Sequence, residues 1–224
     1  MITLALDAST YTGDVAVLDG ARVLAEASVA MKGAEHEGLM PAVAACLEQA
    51  GVSVDGVGRV VCGAGPGSFT SLRIAGAIAK GVASGIGCPL LAVPSMALVV
   101  GGASVNSGRY LVAVDAMRGD FYIGLYEVSS DLDISEVEPA RIVSSNDVES
   151  VAAEFGAKVI SPTRLAGAVE AFPKARAVAR LERLLDARND GGVVDIETWE
   201  PSYGRLAEAQ VKWETAHGKP LPTR

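Results

Sequence analysis

Residues 2–29 read ITLALDASTYTGDVAVLDGARVLAEASV, and this stretch decides the fold. Ile2 to Leu6 is an apolar run that ends at Asp7. Asp14 to Leu18 is a second, and Arg22 to Val29 is a third in which apolar and polar residues partly alternate. Polar turns at 9–13 and at Asp19-Gly20 separate them. Short runs punctuated by Gly, Asp, Ser and Thr predict a three-stranded antiparallel meander. Glu35 to Ala50 follows, where Leu39, Val43, Cys46 and Leu47 recur at helical spacing and Gly51 closes the segment. Arg59 to Cys62 is a short buried strand, Thr70 to Ile86 a helix rich in small residues, and Leu90 to Val93 a strand. Ser95 starts a short helix.

The same order returns in the second half. Tyr110 to Val114 is apolar and ends at Asp115, and Phe121 to Val128 follows a tight turn at Arg118-Gly119-Asp120. Val137 to Val143 is a third strand, Ser145 to Phe155 a helix capped by Ser144 or Ser145, Lys158 to Ile160 a strand, and Leu165 to Phe172 a helix. Each half therefore reads strand-strand-strand-helix-strand-helix. This predicts two similar α/β lobes with mixed sheets, 1–104 and 105–200, and a tail over 201–224. An all-parallel, doubly wound sheet is disfavoured. Pro173 to Arg188 reads as a further helix, with Arg176, Arg180 and Arg183 on one side; a solvated face is favoured there over a phosphate site.

Composition narrows the function. The chain has 224 residues, with 19 Lys+Arg against 27 Asp+Glu and a net charge of −8. That balance argues against independent, strong nucleic-acid binding, which needs clustered cations. No stretch reaches the ~20 apolar residues of a membrane span. Leu90 to Gly102 is shorter and is broken by Pro94 and Ser95. Met1 runs into a strand with no basic flank or cleavage site, so no signal peptide is expected. Cys46, Cys62 and Cys88 sit among apolar residues and read as reduced core positions. The expected setting is cytoplasmic, without membrane contact.

Candidate chemistry is sparse. Gly63-Ala64-Gly65-Pro66-Gly67-Ser68-Phe69-Thr70 runs from a strand into a helix. Such a loop can hold an anion on its backbone N–H groups. No Lys follows the last glycine and the dinucleotide spacing fails, so a tight turn capped by Ser68 or Thr70 is favoured. Ser68 lacks a nucleophile elbow and an identifiable general base. Asp7 and Asp115 end equivalent strands and could face each other across a cleft to hold Mg²⁺ and a nucleotide. Ala116, Met117 and Arg118 lack the glycines of a second phosphate loop, so strand-end capping is favoured. His36 and His217 are the two histidines. The fourth residue after His36 is Met40, so the paired imidazoles of a helical Zn²⁺ or Fe²⁺ site are missing. The helix carrying Ala75, Gly76, Ala77, Ala79, Gly81, Ala83, Ser84 and Gly85 is built for close approach. The approaching element is either this chain or a partner.

Residues 65–74, GPGSFTSLRI, resemble the GPGSFTGLRI signature of the TsaB (YeaZ) family. Ile2 to Thr10 resembles the family's opening strand and Asp-x-Ser-Thr turn. Val114 to Tyr122 resembles its Asp-Ala-Arg-x-Gly-Glu-Val-Tyr hairpin, and Glu200 to Arg205 its Pro-x-Tyr-x-Arg element. The resemblance implies an actin-like, Hsp70- and sugar-kinase-related fold of two duplicated ribonuclease-H-like lobes. It also implies a role in making threonylcarbamoyladenosine beside the tRNA anticodon.

In that system a TsaD-like paralogue transfers the threonylcarbamoyl group, and a TsaE-like ATPase completes the assembly. The implied role here is a non-catalytic scaffold, with no catalytic residues, cofactor or metal, that pairs its two helices with those of the TsaD-like partner. The expected contacts are Leu39, Met40, Val43 and Leu47 from the first helix and Arg73, Ile74, Ala77 and Lys80 from the second. A homodimer through the same pair is a further expectation when the partner is absent. Ser71 and Ala75 stand where the family has glycines, and Ser71 would be strained if it needed a positive φ. Ile142 to Asp195 finds no match. Two rival readings are a metallopeptidase, which the missing second histidine opposes, and an actin-like ATPase or kinase, which predicts ATP turnover by the chain alone.

Overall fold

A computed structural model of the chain describes residues 1–33, 36–186, 190–204 and 217–218. The opening stretch forms the expected meander: β1 (Ile2–Asp7), β2 (Thr12–Asp19) and β3 (Arg22–Ala30). α1 (Leu39–Ala50) leads to β4 (Arg59–Gly63), then α2 (Phe69–Ile86), β5 (Leu90–Val93) and α3 (Ser95–Gly102). The first sheet has the order β3-β2-β1-β4-β5. β1 is antiparallel to β2 and parallel to β4. The second half gives β6 (Gly108–Asp115), β7 (Asp120–Val128), β8 (Ile134–Ser144), α4 (Val148–Glu154), β9 (Lys158–Ser161) and β10 (Val169–Glu170). Its sheet, read from the other edge, is β8-β7-β6-β9-β10. Third, second, first, fourth, fifth is the same order twice, with the same parallel and antiparallel neighbours. This is the doubled, mixed-sheet architecture of the actin-like class.

The layers follow from burial. Leu4, Leu6, Val15 and Val17 face one side of the first sheet and pack on Leu39, Val43, Cys46 and Leu47 of α1 and on Ala75, Ala79 and Ala83 of α2. The alternate residues Ala5, Ala16, Leu18 and Val61 face inward. There they meet α3 and the inner face of the second sheet, Tyr110, Val112 and Tyr126 among them. Leu111, Ala113, Ile123 and Leu125 face outward again, under α4. Strict alternation along β1 and β6 thus builds a core on both faces of each sheet. No described helix is long and apolar enough to cross a membrane.

Three expectations need correction. Residues 165–172 are not a helix. Gly167 takes φ +74°, turns fill the segment, and Val169–Glu170 pairs in parallel with β9. The second sheet therefore has no counterpart of α2. The helix expected over 173–188 is not continuous within 173–186, and residues 187–188 lie outside the described residues. Ala175–Arg180 is a 3₁₀ helix, and α5 (Glu182–Asp186) follows it. Tertiary anchoring competes with helix continuity at this point. Buried Asp14 accepts from the Ala175 N–H at 2.7 Å and from Lys174 Nζ at 2.8 Å, fixing the segment against β2. Finally, α1 begins at Leu39, where the Glu37 carboxylate accepts from the N–H groups of Leu39 and Met40. His36 precedes the helix, and Glu35 lies outside the described residues.

After α5 the chain returns to the first lobe. The Ala92 N–H donates to Gly192 O and the Val194 N–H to Leu90 O, along the open edge of β5. Pro201 then packs over Gly76, and Lys80 lies over the Trp199 ring.

Candidate functional site

The signature loop, 63–68, joins β4 to α2 and is a joint between segments. Gly63 lies against a buried carboxylate: a Cβ there would sit 1.8 Å from Asp7 Oδ2. Gly65 has φ +88°, which side chains rarely tolerate, and a Cβ would meet Ser202 O at 2.3 Å. At Gly67 a Cβ would sit 2.0 Å from Ser9 O. The loop spends its donors internally: the Ala64 N–H on Val93 O, the Ser68 N–H on Ser9 O, and the Gly65 N–H on Ser95 Oγ. This supports the tight turn over an anion nest. Ser68 sits at the N-cap, but its hydroxyl pairs with Ser71 Oγ at 3.0 Å instead of a helix N–H. Thr70 lies inside α2. Ser71 has an ordinary helical φ and no strain.

Asp7 is fully buried. Its carboxylate accepts from the Ser9 N–H at 2.9 Å, Ser9 Oγ at 2.8 Å and Ser95 Oγ at 2.5 Å. It therefore fastens the β1 turn to α3. Asp115 is exposed and caps the Met117 N–H at 2.7 Å. Both carboxylates hold strand ends, and neither faces the other as a bare metal ligand. Burial pushes the Asp7 carboxyl above the ordinary value of 3.8, against the lowering effect of the Ser95 and Ser9 hydrogen bonds. The folded chain then keeps this proton at higher pH than the unfolded chain does. The contribution to stability is complete below the unfolded value and is lost as pH rises through the folded one. The stability of the wild type relative to Asp7→Asn should therefore fall as pH rises above the ordinary carboxylate value, as urea unfolding at several pH values would measure. Burial also pushes the Cys62 and Cys46 thiols up, so they are inert core residues.

The structure divides the expected partner residues. Leu39, Val43 and Leu47 point into the core of this chain, because the apolar stripe of α1 covers its own sheet. Met40 stands outside, 44% exposed. On α2, Arg73 and Ala77 are exposed, while Ile74 and Lys80 are half-buried. The Arg73 guanidinium lies 4.1 Å from the Phe69 ring centre and 5.3 Å from that of Tyr203. Phe69 and Tyr203 also touch each other, at 4.6 Å. Two of the three arginines after Pro173 are engaged: Arg176 pairs with Glu26, and Arg180 donates to the Leu132 and Gly101 carbonyls. The Arg183 side chain and Arg205 lie outside the described residues.

A cleft of about 910 Å³ lies between the lobes, and sequence reasoning, which placed Asp7 and Asp115 across such a cleft, named only Asp115 correctly among that pair. It is lined by 9–12, 67–69, 114–118, Tyr122, 162–164, Phe172 and Tyr203. Its lip is the β6–β7 turn, where Met117, Arg118 and Gly119 all take positive φ.

Comparison with known proteins follows the same outline. The TsaB protein of Bacillus subtilis, described as a tRNA threonylcarbamoyladenosine biosynthesis protein, is 28% identical over 95% of this chain and 98% of its own length. YeaZ from Pseudomonas aeruginosa superposes with a TM-score of 0.74 at 27% identity, covering 90% of this chain and 99% of that one. The chain belongs to the TsaB (YeaZ) family. The Escherichia coli TsaB protein is 33% identical over 57% of this chain and 55% of its own. Residues 33–139 also match the family model described as TsaD, tRNA N6-adenosine threonylcarbamoyltransferase. The stretch shared with the TsaD family holds both α1 and α2, together with the cleft lip.

Proposed function

We propose that this chain is a non-catalytic scaffold in the synthesis of threonylcarbamoyladenosine in tRNA. It pairs with a TsaD-like paralogue through the outer face of α1 and α2 and helps dock a TsaE-like ATPase. The observation that carries the pairing is the unexplained smallness of that face. Gly76 is needed by this chain, since a Cβ would press on Pro201 at 3.1 Å. Gly81 and Gly85 are not: a Cβ on either would meet nothing within 4 Å. Each glycine costs a helix interior about 1 kcal/mol relative to Ala, and nothing within the described chain returns that cost. Close approach by another helix would. Met40, Arg73, Ala77 and Lys80 are the contacts on this reading. Leu39, Val43, Leu47 and Ile74 support the surface from beneath.

The pathway is tested by depleting the protein and measuring tRNA nucleosides by mass spectrometry. Threonylcarbamoyladenosine should fall to a small fraction of its normal level. An unchanged level would sink the assignment.

A further inference from the structure

α2 is charged against the rest of the chain. Phe69–Ile86 carries Arg73 and Lys80 and no acidic residue, a charge of +2 in a chain of −8. Seven residues separate the two cations, so they stand on one side of the helix, about 10 Å apart along its axis. Exposed Ala77 lies between them. Aromatic rings hold both. The Arg73 guanidinium lies beside Phe69 and Tyr203, and the Tyr203 hydroxyl accepts from Arg73 Nε at 3.3 Å. Lys80 Nζ lies 5.9 Å from the Trp199 ring centre. A ring fixes where a cation stands but leaves its charge in place. Neither cation forms an ion pair among the described residues, whereas Lys174 pairs with Asp14 and Arg176 with Glu26. The returning segment does carry Asp195, Glu197 and Glu200. Asp195 is held below the ordinary carboxylate value first by the Thr198 hydroxyl and the Glu197 N–H, at 2.8 and 3.0 Å, and only last by Lys80. Its oxygens are thus already engaged.

We propose that Arg73 and Lys80 select the partner by charge: they meet two carboxylates borne about two turns apart on the partner's facing helix. This rests on the pairing through α1 and α2 proposed above and adds the chemistry that the partner must carry. A second copy of this chain fits less well. A two-fold contact of α2 on α2 brings four cations together, and α1 offers them one exposed carboxylate per copy, Glu48. The cations stand beside the returning segment, at the border of the exposed face. Charges at such a rim steer encounter and discriminate between partners more than they tighten the finished complex.

The test measures binding of the TsaD-like partner to the intact chain, to the Arg73→Gln/Lys80→Gln double variant and to Ala77→Glu, at about 50 and about 500 mM salt. Thermal melting checks that each variant folds. The wild-type complex should weaken severalfold at the higher salt. At the lower salt the double variant should bind about 25-fold more weakly, about fivefold per cation, and it should lose most of the salt dependence. Binding lost on Arg73→Glu/Lys80→Glu should return when acidic residues of the partner's facing helix are exchanged for lysine. Unchanged affinity and salt dependence in the Gln double variant, with binding still lost in Ala77→Glu, would overturn the charge pairing and leave the helix pairing standing. Undiminished binding by both variants would overturn both. Light scattering of the chain alone tries the second copy. Self-association at least as strong in the Gln double variant as in the wild type supports the selection. Weaker self-association in the variant would mean that the cations serve a homodimer, and would overturn it.

Discussion

Ala77→Glu should abolish co-purification with the TsaD-like partner while leaving this chain folded. Ala77 is exposed on α2, with Arg73 one turn before it and Gly81 one turn after. In the isolated chain a glutamate there meets solvent and can pair with Arg73, a neighbour worth only tenths of a kcal/mol, so the melting temperature should barely move. In a helix–helix interface the same glutamate inserts bulk where backbones approach and buries a carboxylate without an assigned cation. A buried, unpaired charge of this kind costs about 3–5 kcal/mol, or roughly two to four orders of magnitude in affinity. Undiminished co-purification would show that the outer face of α2 is not the interface. Ala77→Ser, small and neutral, should keep most of the binding and so separates charge and bulk from mere substitution.

The face chosen for that test marks where sequence reasoning stopped. The meander and its repetition were legible because alternation, Asp-ended strands and polar turns are local signals, and the doubled strand order bears them out. The span of α2 was legible to within one residue. The orientation of α1 was not. Leu39, Val43 and Leu47 form the apolar stripe of a helix, but a stripe reads the same whether it covers its own sheet or a partner. Only the sheet, packed against Leu4, Leu6 and Val17, decides it.

The helices expected at 165–172 and 173–188 failed for a related reason. Their residues suit a helix, but β9 pairing claims the first segment and Asp14 anchors the second. The lining of the cleft was illegible because seven separated stretches make it. The signature loop showed the opposite limit. Its glycines were conspicuous in sequence, but the reason for each lies in atoms far along the chain, Asp7, Ser9 and Ser202.

That dependence gives the second large effect. Gly63→Ala should destabilise the chain by about 3 kcal/mol or more and lower its melting temperature by about 6–12 °C. The added methyl would lie 1.8 Å from Asp7 Oδ2 and 2.7 Å from Ser95 Oγ. Neither atom has room to yield. Asp7 is held by the Ser9 N–H and by two hydroxyls, and Ser95 Oγ bridges the Asp7 carboxylate to the Gly65 N–H. Moving the carboxylate leaves buried donors without acceptors. Moving β4 breaks its register with β1 and β5. Gly85→Ala is the matched control, because a Cβ there meets open space. In the isolated chain it should be neutral or stabilising by up to about 1 kcal/mol. Urea and thermal unfolding of the two variants against the wild type read the contrast directly. Equal stability of Gly63→Ala and the wild type would mean that the contact between Gly63 and the Asp7 carboxylate can open without cost, and that the signature glycine is not held in place by packing.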